Sequence, residues 1–152
     1  MLFRSRRLSV VSDQMPTGFD DLELESIVAG HTMLSKLKRN WPAAFPPHAS
    51  LLVAVEDGPM LLGIGGIAPD PYDVEPGRGR IRHLYVAHAA RRLGVGRRIL
   101  NSCLDFARSR FHTVSLRTPA SEQANRFYEA HGFRPLHGHA NASHVLYLPR
   151  QP

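Results

Sequence analysis

Cysteine is nearly absent. Cys103 stands alone, so no intramolecular disulfide framework can form, and its setting in Ile99-Leu100-Asn101-Ser102-Cys103-Leu104-Asp105-Phe106 reads as the buried stripe of a helix. Long apolar runs are missing as well. None approaches the roughly 20 residues that cross a bilayer, and Met1 to Arg7 lacks the apolar core of a secretory signal. These absences argue against a membrane partner and make the cytoplasm the expected location. Lysine is scarce: Lys36 and Lys38 are the only two, so the net charge of +6 is carried by arginine. A basic chain attracts anions of every kind. However, there is no zinc-finger, helix-turn-helix or RNP signature, and no basic stripe interleaved with aromatics, which disfavours nucleic acid as the partner. A phosphorylated cofactor accounts for the charge with less machinery. His137 and His139 lack a cysteine partner or a His-Glu-x-x-His helix, so no metal is expected.

What remains is ordinary globular material. With 152 residues, 43% hydrophobic and 21% charged, the chain suits one domain with one sizeable core. Arg7 to Val11 reads as a short strand. From Phe19, the apolar positions Leu22, Leu24, Ile27, Val28, Met33, Leu34 and Leu37 recur at helical spacing, with acids first and Lys36, Lys38 and Arg39 last, as a helix dipole favours. The prolines in Asn40 to Pro47 end that helix in a loop carrying Trp41 and Phe45.

Leu51 to Glu56 and Met60 to Ile67 form a hairpin about Asp57-Gly58-Pro59, and Arg80 to Val86 is a third strand. A helix follows from near Gly96 to before His112. Thr113 to Arg117 is a strand, Ser121 to His131 a helix closed by Gly132, and Phe133 to Leu136 with His144 to Leu148 a closing hairpin. The expected fold is α/β (α+β): a mixed, mostly antiparallel sheet of about seven strands flanked by three or four helices. The strands at Ile81 and Thr113 are parallel neighbours across a right-handed crossover.

Chemistry concentrates at Arg91-Arg92-Leu93-Gly94-Val95-Gly96. Glycines between a strand and a helix let backbone N–H groups approach an anion at the positive helix end. The segment is no P-loop, and it lacks the third glycine of a dinucleotide fingerprint. Two glycines alone are equally consistent with simple close packing.

The context is more specific. Leu84-Tyr85-Val86, a connection from Ala87 to Arg91, the glycine pair and the string Phe127-Tyr128-Glu129-Ala130-His131-Gly132-Phe133 together resemble the GNAT superfamily of acyl-CoA-dependent N-acetyltransferases. Its Gln/Arg-x-x-Gly-x-Gly/Ala motif is matched by Arg91, Gly94 and Gly96, and its Phe/Leu-Tyr-Glu-x-x-Gly-Phe string by Phe127 to Phe133. In element order the resemblance covers Leu51 to Leu148 as the CoA-binding core, with residues 1–50 as the variable substrate-side segment of a single domain.

The resemblance implies acetyl-CoA as co-substrate and transfer of its acetyl group to an amine, on a small molecule or a protein. It implies that the backbone of Leu84, Tyr85 and Val86 pairs with the pantetheine arm. The amides from Arg92 through Leu93, Gly94, Val95 and Gly96 to Arg97 would hold the pyrophosphate, with Arg91, Arg97 or Arg98 adding charge. Tyr128 matches the tyrosine that protonates the departing thiolate. Two departures stand out. Arg80 occupies a position that is frequently acidic, which leaves His83 as first substitute for the base, followed by Glu56 and Glu75. Ser121 stands where an asparagine is common, with Asn125 one turn on; Ser121 is equally an N-cap. Trp41 and Phe45 either line an acceptor pocket or close the core, and Asp20, Asp21, Glu23 and Glu25 either attract a cationic amine or serve the helix N-terminus. A non-catalytic acyl-CoA-binding module and a basic nucleic-acid binder are the competing functions, and homodimerisation stays open.

Overall fold

The computed structural model describes residues 5–73 and 76–149. Glu75, one of the base candidates, lies outside the described residues. Seven strands form one sheet in the order β1-β2-β3-β4-β5-β7-β6. The strands are β1 (Arg7–Val10), β2 (Leu51–Asp57), β3 (Met60–Pro69), β4 (Arg78–Val86), β5 (Thr113–Leu116), β6 (Arg134–Pro135) and β7 (His144–Tyr147). The helices are α1 (Phe19–Val28), α2 (Met33–Asn40), α3 (Val95–Ala107) and α4 (Glu122–Ala130). Every pairing is antiparallel except β4 with β5, as the crossover through α3 requires. None of these helices is long and apolar enough to cross a membrane.

Alternation along β2 divides the core. Val53 and Val55 point into a cluster with Val95, Ile99, Leu100 and Cys103 of α3, while Leu52 and Ala54 point into a second cluster with Phe19, Leu22, Leu34 and Leu37. Both faces of the sheet are thus covered, which is why β2 and β3 read as continuous apolar runs rather than alternating ones. Gly65 makes the contact on the α3 face possible. A Cβ there would stand 2.9 Å from Ile99 Cγ2 and 3.1 Å from Leu84 Cα.

The single long helix expected from Phe19 to Arg39 is two helices. The chain breaks at Gly30, whose φ of +89° lies in the left-handed region. After the break only Leu22 of the first segment's aliphatic positions stays buried; Leu24, Ile27 and Val28 are exposed. Lys38 near the end of α2 reaches back to Asp20 (3.2 Å) and Glu23 (3.5 Å) of α1, so the charge order read as a dipole pattern joins two antiparallel helices instead.

The sheet is interrupted between β4 and β5. The β4–β5 ladder pairs Arg78, Gly79 and Arg80 with Thr113, Val114 and Ser115, and then stops. Just beyond, β4 is bulged against β3. Arg82 pairs with Gly66 and Tyr85 with Ile64, leaving two residues of β4 opposite Gly65, and His83 takes a φ of +60°. A bulge bends its strand, and from Ile81 onward β4 runs without a β5 partner. The gap between the diverging strands opens into two cavities.

Candidate functional site

The first cavity, of about 680 Å³, lies between the end of β4, the start of α3 and the side of α4. Leu84, Tyr85 and Val86 form one wall. The turn that follows supplies Arg91, Arg92 and Gly94, and the first turn of α3 supplies Val95, Gly96 and Arg97. Ser121 and Phe127 close the α4 side, and Tyr128 sits at the inner end where the second cavity begins. His31, Met33, Ala90, Thr118, Gln123 and Ala124 also line it. None of these carries a pattern in sequence: they come from segments far apart in the chain and meet only through the fold.

The α3 end presents uncapped amide donors, an arrangement able to receive an anion. Arg92 (φ +67°) and Gly94 (φ +79°) are both left-handed, which turns successive N–H groups toward one side. Gly94 is the N-cap and supplies no side chain; the first intrahelical bond closes from Arg98 N–H to Gly94 O at 3.1 Å, leaving the amides of Val95, Gly96 and Arg97 uncapped. A Cβ at Gly94 would meet nothing within 4 Å, so the glycine borders open space.

Some expected residues have other employment. Leu93 lines neither cavity and its carbonyl accepts from Arg6 Nη1 at 3.2 Å. Arg98 is held by the Arg6 carbonyl. Arg91 folds back: its Nε donates to Val86 O at 3.3 Å and its guanidinium lies 5.7 Å from the Tyr85 ring centre. The Ser121 hydroxyl caps α4 by accepting from Ala124 N–H at 3.3 Å, and Asn125 lines neither cavity.

Tyr128 is 9% exposed, with its ring packed edge-on against Phe127 and Phe133. Its hydroxyl has no hydrogen-bond partner among the described residues and yet is not sealed in, so it opens to the cavities it borders. Burial pushes its pKa up to about 12, so the phenol keeps its proton at neutral pH.

His83 differs. Its Nδ1 stands 2.8 Å from the Met33 carbonyl, and because a carbonyl only accepts, Nδ1 carries the hydrogen and Nε2 the lone pair. That Nε2 is buried and unpartnered. Burial first, and then the Arg82 charge, pull the pKa down to about 4, so the imidazole is neutral. The ring borders the second cavity and lies 6.0 Å from Phe45.

The other candidates stand apart. Glu56 accepts from Ser9 on the far edge of the sheet. Phe45 is buried in the α1–α2 core, and Trp41 donates to Asp13 O at 3.0 Å; neither aromatic lines either of these two cavities. Glu25 is taken by the Tyr85 hydroxyl at 2.7 Å and the His88 amide at 3.1 Å. The second cavity, of about 550 Å³, is walled instead by the start of α2, the β3–β4 loop, β4 and the segment after β5. Four residues, Met33, Leu84, Thr118 and Tyr128, belong to both cavities.

The model of the acetyltransferase (GNAT) family matches residues 17–133, which takes in both helices of the N-terminal segment, the splayed strands, the α3 turn and Tyr128. The chain belongs to the GNAT acetyltransferase family. Solved structures repeat the fold of this GNAT chain over nearly its full length. A candidate acetyltransferase from Exiguobacterium sp. 255-15 superposes with a TM-score of 0.82 at 25% identity, covering 94% of this chain and 93% of that one. An acetyltransferase from Streptococcus agalactiae 2603 gives 0.75 at 15% identity, covering 96% and 100%. A predicted acetyltransferase from Clostridium acetobutylicum, solved with acetyl-CoA, gives 0.70 at 14% identity, covering 91% and 96%. No curated protein sequence matches the chain.

Proposed function

We propose that this GNAT protein transfers an acetyl group from acetyl-CoA to a primary amine by direct attack, with the first cavity holding the donor and the second the acceptor. The observation that carries the reading is that the two cavities meet at Tyr128, in the gap where β4 leaves β5. Acetyl-CoA supplies the reactive acyl group and an anionic pyrophosphate. The chain offers matching partners. The uncapped amides of Val95, Gly96 and Arg97 face the pyrophosphate, aided by the helix dipole and by Arg92 and Arg97. The open edge of Leu84, Tyr85 and Val86 offers backbone groups to the pantetheine amides, as an added strand would. Arg91 now covers the Val86 carbonyl, and binding moves it toward the phosphates.

In the reaction, the amine nitrogen bonds to the acyl carbon as the carbon–sulfur bond breaks, and the leaving sulfur needs a proton. The Tyr128 hydroxyl, protonated and unengaged, donates to it, and the proton released by the attacking amine restores the balance. His83 is assigned a different task. Its sealed Nε2 and depressed pKa make it a poor proton acceptor, and its bond to Met33 ties the β4 bulge to α2.

A thiol-release assay with acetyl-CoA and a panel of amines tests the reading. Tyr128→Phe is expected to lower kcat by about a hundredfold while CoA affinity holds, since the ring packing survives. Undiminished turnover in that variant removes the assigned acid. CoA binding with no turnover across the panel favours a non-catalytic CoA-binding module.

A further inference from the structure

The second cavity is strongly cationic. Arg80, Arg82, Arg117 and Lys36 all line it, and no carboxylate among the described lining residues faces them. None of the four forms a salt bridge among the described residues. Instead, Arg80 donates to Asn141 O at 2.6 Å and Arg117 to Ala140 O at 2.8 Å. Neighbouring carbonyls of one loop therefore hold two guanidinium groups side by side. The Arg80 guanidinium lies over the Tyr72 ring, 5.1 Å from its centre. Asp70 is the acid that acts on Arg80, but its own oxygens are engaged by Ser115 Oγ (2.7 Å) and by the Tyr72 amide (3.0 Å). The neutral His83 contributes no charge.

Like charges crowded at a half-buried site are costly unless something anionic joins them. Burial, with Arg82 and Arg117 adding repulsion, pulls the Arg80 pKa below its ordinary value. Guanidinium groups arranged with spare donors match the geometry of carboxylate and phosphate oxygens. We propose that the acceptor is a small primary amine carrying a carboxylate or phosphate, gripped at its anionic end by Arg80, Arg82 and Arg117 with Lys36 at the exposed rim.

The proposal rests on the second cavity being the acceptor side, and it deepens that reading. It also makes sense of Arg80 at a position where an acid is common. The surrounding positive charge lowers the pKa of a bound ammonium, so the amine end reaches Tyr128 more readily in its neutral, nucleophilic form.

The test compares 2-aminoethyl phosphate, β-alanine and glutamate with ethylamine and putrescine. Binding is measured by calorimetry on protein saturated with CoA, and turnover by thiol release with acetyl-CoA. At least one anionic amine is expected to bind about tenfold more tightly than ethylamine, and Arg117→Gln, at an exposed residue, to abolish that advantage while CoA affinity stays unchanged. Raising the salt concentration should weaken the anionic amine more than the neutral one. Equal or better binding of ethylamine or putrescine overturns the proposal, as does the failure of every anionic amine to bind. Binding of an acidic peptide or of DNA through the same arginines, with no small anionic amine bound, overturns it too. The CoA titration on its own separates the two claims: absent CoA binding sinks the acetyltransferase reading, whereas intact CoA binding without anionic preference sinks only this one.

Discussion

His83 shows how a residue at the rim of a site is fixed by its surroundings rather than by its chemistry. A φ of +60° is uncommon for a residue with a side chain, and here the bulge opposite Gly65 imposes it. The imidazole is then committed to Met33 through Nδ1, with Nε2 buried and unpartnered. Protonation would place a charge beside Arg82 in a buried setting, which is why the folded-state pKa is about 4 against an ordinary 6.5. The sign of the consequence follows from proton counts. Between those values the unfolded chain binds more protons than the folded one, so stability is full above about pH 6.5 and falls as the pH drops toward 4. The size is about 3 kcal/mol. His144, also buried with a lowered pKa, adds a fall of the same sign, so the His83 share needs a difference measurement. His83→Asn retains a residue tolerant of positive φ and removes the titration. Urea unfolding of both proteins should show the wild type losing about 3 kcal/mol relative to the variant between pH 7 and pH 4. A pH-independent difference would show that the imidazole is accessible after all, and would return His83 to contention as the base.

At the scale of elements, the turn into α3 does the most with the least. Gly94 combines a positive φ, the N-cap position and open space beside the cavity. Proline there demands a φ near −65° and removes an N–H, so Gly94→Pro should lower CoA affinity by more than about tenfold with the far-UV spectrum largely kept. Gly94→Ala, which meets no steric obstacle, should pay only the left-handed strain of about 1–2 kcal/mol and lose less. Unchanged CoA affinity in the proline variant would mean that the pyrophosphate lies elsewhere. This turn was legible in the sequence because glycines with special backbone angles leave a local signature, and so do strands bounded by Asp57-Gly58-Pro59 and the Ser121 cap. The break at Gly30 was not, since Leu22 and Leu34 fall on one helical spacing whether or not the helix is continuous. The bulge at His83 and the strand divergence beyond Arg80 were equally hidden in the residues themselves: they come from pairings between segments distant in the chain. So too for the second cavity, whose arginines at positions 80, 82 and 117 become neighbours only through the parallel β4–β5 ladder.

For the whole molecule, the question is whether the N-terminal segment is a separable cover or part of one cooperative unit. α1, α2 and the loop after them pack Phe19, Leu22, Leu34, Leu37 and Phe45 against Leu52, Ala54, Ile64 and Tyr85 of the sheet, and all of these are buried. β1 extends the same sheet through its register with β2, and the Tyr85–Glu25 and His83–Met33 bonds stitch α1 and α2 to the functional strand. Removing this layer would expose one entire face of β2 and β3, a loss on the order of 2 kcal/mol for each large side chain uncovered. Over Leu52, Ile64 and Tyr85 that loss is comparable with the whole net stability of a domain, about 5–15 kcal/mol. The segment that walls part of the second cavity therefore belongs to the same cooperative unit as the sheet. The single tryptophan provides the check, because Trp41 lies in that segment and its indole is bound to Asp13 O. Tryptophan fluorescence reports the N-terminal layer, and far-UV circular dichroism reports the helices and sheet together. In urea the two signals should trace one transition with the same midpoint and slope. An earlier fluorescence transition would show that the layer detaches on its own, and that the cavity holding Arg80 and Arg117 loses its α2 wall before the sheet unfolds.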